Sequence, residues 1–414
     1  MNSTTTDQTL YDAIVIGGGP VGLATAIALA EADIKVALVA ARKPYPDNRT
    51  TALLGGTIDF LERLDVWRRC AEFATPLRTM RLVDNTQRLI RAPEVRFVSD
   101  EIGRDAFGYN IENRRLVAAL EQRTDEIERI ARIDDDADGI EIDTDQVIVR
   151  TRNGTLLHGR VAAGADGRQS ICREAAGIDV NRHPLRQTAL TFNIRHSRPH
   201  HDTSTEFHTT GGPCVFVPLQ GDRSSVVWVS TPNEAARLTA LSDDALSMEA
   251  ERMMHSILGR VSVEPGRHSF PLAIEQPRQF ASNRVVLVGE AAHVLPPIGA
   301  QGLNLGLRDV ADIADIVADA IARGEDPGAA ATLARFDRKR RSDIASRTMA
   351  IDLANRSLLS DFLPMQMARA AGLHLLSAIG PLRRLAMREG LSPSWRRPSS
   401  SRATPPNEHG THRA

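Results

Sequence analysis

A strand that runs straight into Gly17-x-Gly19-x-x-Gly22 and then into a helix leaves a chain few folds to choose from. Ala13 to Ile16 is short and apolar, as a buried parallel strand requires. The glycines follow at once, Val21 to Ala32 reads as a helix, and Ile34 to Val39 reads as a second strand. In such a βαβ unit the first glycine makes the tight turn, the second admits a pyrophosphate and the third lets helix and strand pack. The unit predicts a dinucleotide at a helix N-terminus. One usual component is absent. An acid ~20 residues on normally bonds the adenosine ribose, and Ala40 stands at that place.

A second strand–turn–helix runs from Ser282 to Asp309. Val285 to Val288 is a buried-strand run, Gly289 ends it, and Glu290 follows at the carboxyl edge, where open α/β sheets bind ligands. Pro296 and Pro297 stiffen the loop, while Gly299 and Gly302 allow unusual backbone angles or a close approach to a ligand. A helix is expected from near Leu303 to about Arg323, with Leu303, Leu307, Val310, Ala314 and Val317 on one apolar stripe. Its N-terminus suits a group that carries or develops negative charge, as a flavin pyrimidine ring does. On this stretch alone an ordinary glycine-rich crossover fits as well.

Between these lies a third motif. Arg160 to Gly177 leads a short strand into Gly164-Ala165-Asp166-Gly167, with Ser170 and Arg173 on a following helix. Asp166 suits a ribityl hydroxyl, and equally a tight turn in which it caps the helix.

At 414 residues the chain should hold two domains, or one with a large insertion. The 51 Lys and Arg against 52 Asp and Glu leave a net charge of −1, so no affinity for nucleic acid is implied. Cys70, Cys172 and Cys214 are far apart, form neither a disulfide framework nor a metal cluster, and fit a reducing cytoplasm. The first residues lack a basic region and an apolar core, so no signal peptide is expected. No apolar run reaches the ~18 residues of a membrane span.

Pro44 to Leu54 reads as polar and turn-like, and Thr57 to Leu64 as a helix. Met80 to Val83 alternates like a strand that Leu89 to Phe97 could pair with. Tyr109 to Leu120 reads as a loop entering a helix, with Asn113 as its cap. Gly139 to Val149 alternates as a hairpin does, and Asn153-Gly154 is a turn. From Gln187 to Phe270 short strands follow one another without βαβ units: Ala189 to Arg195, Thr203 to His208, Cys214 to Leu219 and Ser224 to Val229. With a helix from Ser242 to Leu258, this predicts an inserted antiparallel sheet that makes a cleft with the nucleotide-binding domain. His196, His200, His201 and His208 lack metal-ligand spacing, and His200-His201 reads as solvent-exposed. Phe336 to Ile344 reads as a charged helix face. Leu353 to Leu391 mixes apolar and basic residues, as a helical layer on the body or a partner does, or a segment on a membrane surface. Ser392 to Ala414 has little to bury and is expected to be disordered.

The three motifs in this order resemble the FAD-dependent aromatic hydroxylases of the para-hydroxybenzoate hydroxylase type, over roughly residues 11 to 320. Gly17, Gly19 and Gly22 match that family's FAD fingerprint, and Asp166-Gly167 its motif for FAD and the passing nicotinamide. Gly289-Glu290-Ala291-Ala292-His293 matches its third motif, usually Gly-Asp-Ala-Ala-His; Glu290 keeps the acid that bonds the ribityl chain and adds a methylene. Gly302-Leu303-Asn304-Leu305-Gly306-Leu307-Arg308-Asp309 is similar to the signature of the ubiquinone-biosynthesis hydroxylases. So are Thr205-Glu206-Phe207, Gly212-Pro213 and Pro218-Leu219.

The resemblance implies an α/β fold: a Rossmann-like FAD-binding domain, an inserted antiparallel-sheet substrate domain and a C-terminal helical region. The FAD-binding parts would be 8–78, 101–182 and 282–330, the substrate domain 79–100 and 183–281, the helical region 331–391 and the tail 392–414. The implied activity is hydroxylation of a polyprenylated phenol in ubiquinone biosynthesis, through a flavin C4a-hydroperoxide. O2 is the co-substrate, and electrons come from NAD(P)H or a separate reductase. FAD would meet Gly17, Gly19, Gly22, Asp166, Gly167, Gly289, Glu290, Gly299 and Gly302, with backbone N–H groups near Leu303 and Asn304 facing N1 and O2. Arg49 would reach a phosphate or the isoalloxazine edge, or else be a solvated surface arginine. Pro296 and Pro297 would border the substrate ring. No side chain is expected as a general base, and His293 reads as a structural hydrogen-bonder. Other ubiquinone-biosynthesis proteins are implied as partners, and the location is the cytoplasm or the inner face of the membrane. Two alternatives stand beside this: a catabolic hydroxylase of a small soluble aromatic acid, and a non-catalytic FAD-binding subunit, which the missing acid at Ala40 would suit.

Overall fold

The structure, a computed structural model, describes residues 9–42, 48–86, 91–297, 299–359 and 363–391. Its first sheet is built on parallel strands in the order Val285–Leu287, Leu156–Gly164, Leu10–Ile16, Val36–Val39 and Ile130–Ile133. The register runs Val285↔Ala162, Val161↔Ala13, Ala13↔Val36 and Val36↔Ile130. Ile14, Val15, Val36, Leu38, Val285 and Leu287 are fully buried, because helices cover a parallel sheet on both faces. Pro20–Glu31 packs between Gln301–Ala322 and Asn113–Asp125. It is apolar nearly all round and buried from Gly22 to Ala30, and Pro20 is preset for its first turn.

The second sheet is organised by Val180–His196. On one side it pairs antiparallel with Arg223–Ser230, on the other with Val261–Val263 and His268–Pro277. Strand alternation gives the sheet two different faces. Leu190, Phe192, Ile194, Phe207, Phe216 and Trp228 form a core with Leu246, Ala250 and Met254 of the helix side. Thr191 and Asn193 point the other way, and a cleft opens there.

The fold departs from the sequence reading in several places. Thr50–Leu54 is a strand, and residues 44–47 of the expected turn lie outside the described residues. It pairs antiparallel with Gly108–Glu112, so the expected loop before Leu120 is also a strand. Asn113 is the first helical residue rather than the cap, which is Glu112. Thr203–Thr209 runs parallel to Thr79–Asp84, so the second sheet is not wholly antiparallel. Thr79–Asp84 also pairs with Val95–Val98, while residues 89–90 of the expected partner lie outside the described residues. Pro232–Ala240 is a helix that the sequence reading did not find, and Asp243–Met253, capped by Ser242, is shorter than expected. His200 is half-buried rather than exposed, because its ring bonds the Leu219 carbonyl and accepts from the Asp202 N–H. Arg340, read as part of a charged surface, is fully buried. The tail 392–414 lies outside the described residues. None of the described helices is long and apolar enough to cross a membrane.

Candidate functional site

Three motifs far apart in sequence meet at the carboxyl ends of the parallel strands. Gly17 has φ +120°, and a Cβ there would lie 2.3 Å from the Ala165 carbonyl oxygen. A Cβ on Gly22 would fall 1.9 Å from the Gly17 carbonyl oxygen and 3.2 Å from Ala165 Cβ. These two glycines are therefore required by the protein's own packing. Gly19 differs: nothing lies within 4 Å of the position of its Cβ. It precedes Pro20–Glu31, whose first turn has no acidic residue and no side-chain cap among the described residues. The free N–H groups there and the open approach at Gly19 suit a pyrophosphate.

Gly289 has φ +63°, and its Cβ would lie 3.1 Å from Val21 on the same helix. The third motif thus rests on the first. Glu290 is exposed and its carboxylate lies 3.7 Å from Arg168, which follows Asp166-Gly167. Asp166 itself is divided. Its Oδ2 accepts the Cys172 N–H at 3.1 Å, near the start of the short helix Ile171–Ala175. Its Oδ1 is buried and has no hydrogen-bond partner among the described residues. The Cys172 thiol beside it is only a weak donor, and burial together with the Asp166 carboxylate keeps that thiol protonated. A buried carboxylate oxygen left without a strong donor is a place for a ligand hydroxyl. Gly167, at φ +79°, leaves open space beside it. Arg173 is buried and donates to the Ala291 and Arg168 carbonyls, tying the second motif to the third.

The long helix Gln301–Ala322 starts from two left-handed residues, Gly299 at φ +64° and Ala300 at φ +54°. No side chain caps it, its first turn carries no acid, and a Cβ on Gly302 would meet nothing within 4 Å. Because Ala300 is the N-cap of the helix, the Asn304 N–H falls inside its hydrogen-bonded ladder and only N–H groups before it lie at the open end. Asn304 is thereby corrected to a scaffold residue. Fully buried, it accepts from the Leu54 N–H and the Thr57 hydroxyl and donates to the Ala52 and Ala300 carbonyls.

Beyond this helix start lies a cleft between the second sheet and residues 48–50. Its floor is Thr191, Asn193, Ser225 and Val227, whose register pairs Thr191 with Val227 and Asn193 with Ser225. Phe270, His268, Arg49 and Pro297 form its walls. Pro296 is buried behind Pro297, so only the second proline lines the cleft. The Asn193 amide donates to the Asn48 carbonyl, and the Asn48 amide donates to the Pro265 carbonyl, which closes the cleft at the 48–50 loop. The sequence reading missed these floor residues, since strand register decides them and local pattern does not. At the ribose end, Ala40 is buried, and beyond it Arg42 pairs with Asp125 and donates its N–H to Asp134.

His293 and Asp309 form a buried pair behind the site. His293 Nε2 lies 2.7 Å from Asp309 Oδ2, and the same oxygen accepts the Gly289 N–H at 2.9 Å. Arg340 stands against Asp309, Asp312 and Asp343. Burial alone would lower its pKa, but the three carboxylates outweigh it and hold the guanidinium charged. The sequence did carry a signal for this residue: Phe336, Arg340 and Ile344 are spaced four apart, and all three are fully buried. Among the described residues, no group of three or more His, Cys, Asp or Glu is placed to hold a metal.

The open glycine cradle, two uncapped helix N-termini and the orphaned Asp166 Oδ1 fit an elongated, anionic, hydroxyl-bearing cofactor such as FAD. Comparison with known proteins agrees. A family profile described as FAD binding domain matches residues 10–350. Ubiquinone hydroxylase UbiL of Rhodospirillum rubrum is 31% identical over 391 residues, covering 92% of this chain and 89% of its own. The 3-demethoxyubiquinol 3-hydroxylase of Escherichia coli is 27% identical over 385 residues, covering 91% and 97%. Among solved structures, p-nitrophenol 4-monooxygenase PnpA of Pseudomonas putida superposes with a TM-score of 0.77 at 19% identity, over 93% of this chain and 98% of that one.

Proposed function

The chain belongs to the FAD binding domain family, and from that premise we propose that it hydroxylates the aromatic ring of a polyprenylated phenol on the way to ubiquinone. One observation carries this reading: relatives named as hydroxylases of ubiquinone and of demethoxyubiquinol align with nearly the whole chain, substrate sheet included. Bound FAD supplies the activation of O2 and the transfer of one oxygen atom to an electron-rich ring. The protein binds, orients and dries the site. Gly19 leaves the approach open to the N–H groups that start Pro20–Glu31, which would hold the pyrophosphate, while Gly17 and Gly22 let the turn and helix pack closely enough to present them. Asp166 Oδ1 and Glu290 accept from the ribityl hydroxyls. The N–H groups of Gly302 and Leu303, in the first turn of the helix, would face the pyrimidine edge, where negative charge collects on reduction. Gly299 and Gly302 leave room for that edge, and Arg49 stands at the outer side of the ring.

Pro297 and Phe270 border the phenol, with Val227 below it. Ser225 and Thr191 offer neutral groups to its hydroxyl, so the ring is held without a charged partner on the cleft floor. The polyprenyl tail leaves toward solvent. Met367 and Leu375 of Leu363–Ala378, Leu382 and Leu385 of Gly380–Leu391, and Ile379 between the two helices are exposed, with Arg384 and Arg388 nearby in sequence. That surface suits the inner face of a membrane, from which such a tail is drawn. Met387, on the opposite side of the last helix, packs on Leu54 and Phe107 of the body.

The electron donor is NAD(P)H or a separate reductase. Anaerobic mixing with NADPH separates the two: bleaching of the flavin absorbance within a turnover time indicates direct reduction. The main test is the quinone-intermediate profile, by mass spectrometry of lipid extracts, of a strain lacking this protein. A prenylated phenol one oxygen short of ubiquinone should accumulate. A normal profile would overturn the reading.

A further inference from the structure

Arg340 lies outside the three motifs, on the helix Ala330–Leu359, yet it is fully buried behind one of them. Its Nη1 donates to Asp312 Oδ2 at 2.7 Å and to Asp343 Oδ2 at 2.9 Å. Its Nε lies 2.8 Å from Asp309 Oδ1, but the two are not aligned as a hydrogen bond, so this is a charge contact. Lys339 reaches Asp312 at 2.9 Å and Arg308 lies 3.8 Å from Asp343, so three aspartates face three cations. Asp309 has no exposed surface. A buried carboxylate stays ionised only where a cation and hydrogen-bond donors face it. Asp309 has both: Arg340 on one oxygen, and the Gly289 N–H with His293 on the other.

Asp309 therefore links two elements. On one side is the turn Gly289–Ala291, entered through the left-handed Gly289 and carrying Glu290; on the other is the helix that holds Arg340. Breaking a buried pair by removing one partner leaves an uncompensated charge, which must be protonated or must move. If Asp309 moves, the Gly289 N–H loses its acceptor, and the turn is free to shift away from Val21 and the glycine cradle.

We propose that Arg340 is a positioning residue for the cofactor: through Asp309 it holds the Gly289–Glu290 turn, and so sets how tightly FAD is bound. This rests on the reading that Glu290 meets the ribityl chain. Outer partners that orient a binding group commonly change affinity without touching the ligand, as they do around metals.

The test is FAD titration of stripped protein, followed by quenching of flavin fluorescence, for Arg340→Met, Arg340→Lys, Glu290→Ala and Phe336→Ala. Phe336 is fully buried one turn before Arg340 on the same helix, belongs to the apolar core and has no polar group to join the charged cluster. Phe336→Ala should lower the melting temperature of the stripped protein and leave FAD affinity within about twofold. Arg340→Met should weaken FAD binding by about tenfold or more. Arg340→Lys, which keeps the charge but cannot span three carboxylates, should fall between wild type and Arg340→Met; it carries the test where Arg340→Met does not fold. Equal FAD affinity in wild type and both Arg340 variants would overturn the proposal, and so would a loss in Phe336→Ala as large as theirs. Glu290→Ala separates the two readings. If it binds FAD as wild type does, the ribityl reading fails; if it binds weakly while Arg340→Met and Arg340→Lys bind normally, only the positioning role fails.

Discussion

Glycines at equivalent-looking motif positions do different jobs, and substitution separates them. A Cβ on Gly22 would collide with the Gly17 carbonyl at 1.9 Å, so Gly22→Ala should destabilise the protein itself by about 2–3 kcal/mol, seen as a lower melting temperature without cofactor. A Cβ on Gly302 meets nothing. Gly302→Leu should leave the stripped protein as stable as before or slightly more so, since leucine favours the helix, while FAD affinity falls about tenfold or more. Ala300 carries a different cost. An alanine at φ +54° is strained, and its carbonyl is held by the Asn304 amide. Ala300→Gly should raise stability by about 0.5–1 kcal/mol in chemical denaturation, after the glycine's own entropy is set against the relief. An unchanged midpoint would mean that the helix start is not strained.

At the scale of elements, the second sheet is tied to the strand Gly108–Glu112 of a separate three-stranded sheet by polar groups as well as by packing. Arg223 opens the strand Arg223–Ser230 and grips Glu264 with two hydrogen bonds of 2.8 and 2.7 Å; it also reaches Glu112, which ends Gly108–Glu112, at 3.3 Å. The Arg223 hydrogen bond holds the Glu264 carboxyl below its usual range. A depressed folded value means that this stabilisation is complete above the ordinary value of 4.5 and fades as pH falls through the lower one. Glu264→Gln should therefore cost about 1–2 kcal/mol at neutral pH, and the gap from wild type should close on acidification below pH 4.5. A gap that persisted in acid would place the effect elsewhere. The same scale shows what the sequence could reveal. The βαβ unit was legible because its strand, glycines and helix are adjacent in sequence, although the close approach of Gly17 to Ala165 was not. Gly108–Glu112 was not, because it becomes a strand only by pairing with Thr50–Leu54, far off in sequence. Arg340 was misread because a run of charges looks solvated, although its spacing from Phe336 and Ile344 already marked a core position. The cleft floor waits on register: shifting Val180–His196 by one residue would replace Thr191 and Asn193 with Leu190 and Phe192.

For the whole molecule, the parallel sheet gathers three distant motifs at one edge, and the second sheet turns its small-residue face toward them across the cleft. On the proposed function, the parallel sheet would hold FAD, the second sheet would read ring substituents, and the exposed apolar side chains of the last two helices would face the lipid tail. The most direct test of that account is isotopic. Purified FAD-loaded protein, given an electron source, a demethoxy prenylphenol and ¹⁸O₂, should yield a product carrying one ¹⁸O on the ring. Label absent from the ring, or no product from a protein that holds FAD and consumes reductant, would contradict it.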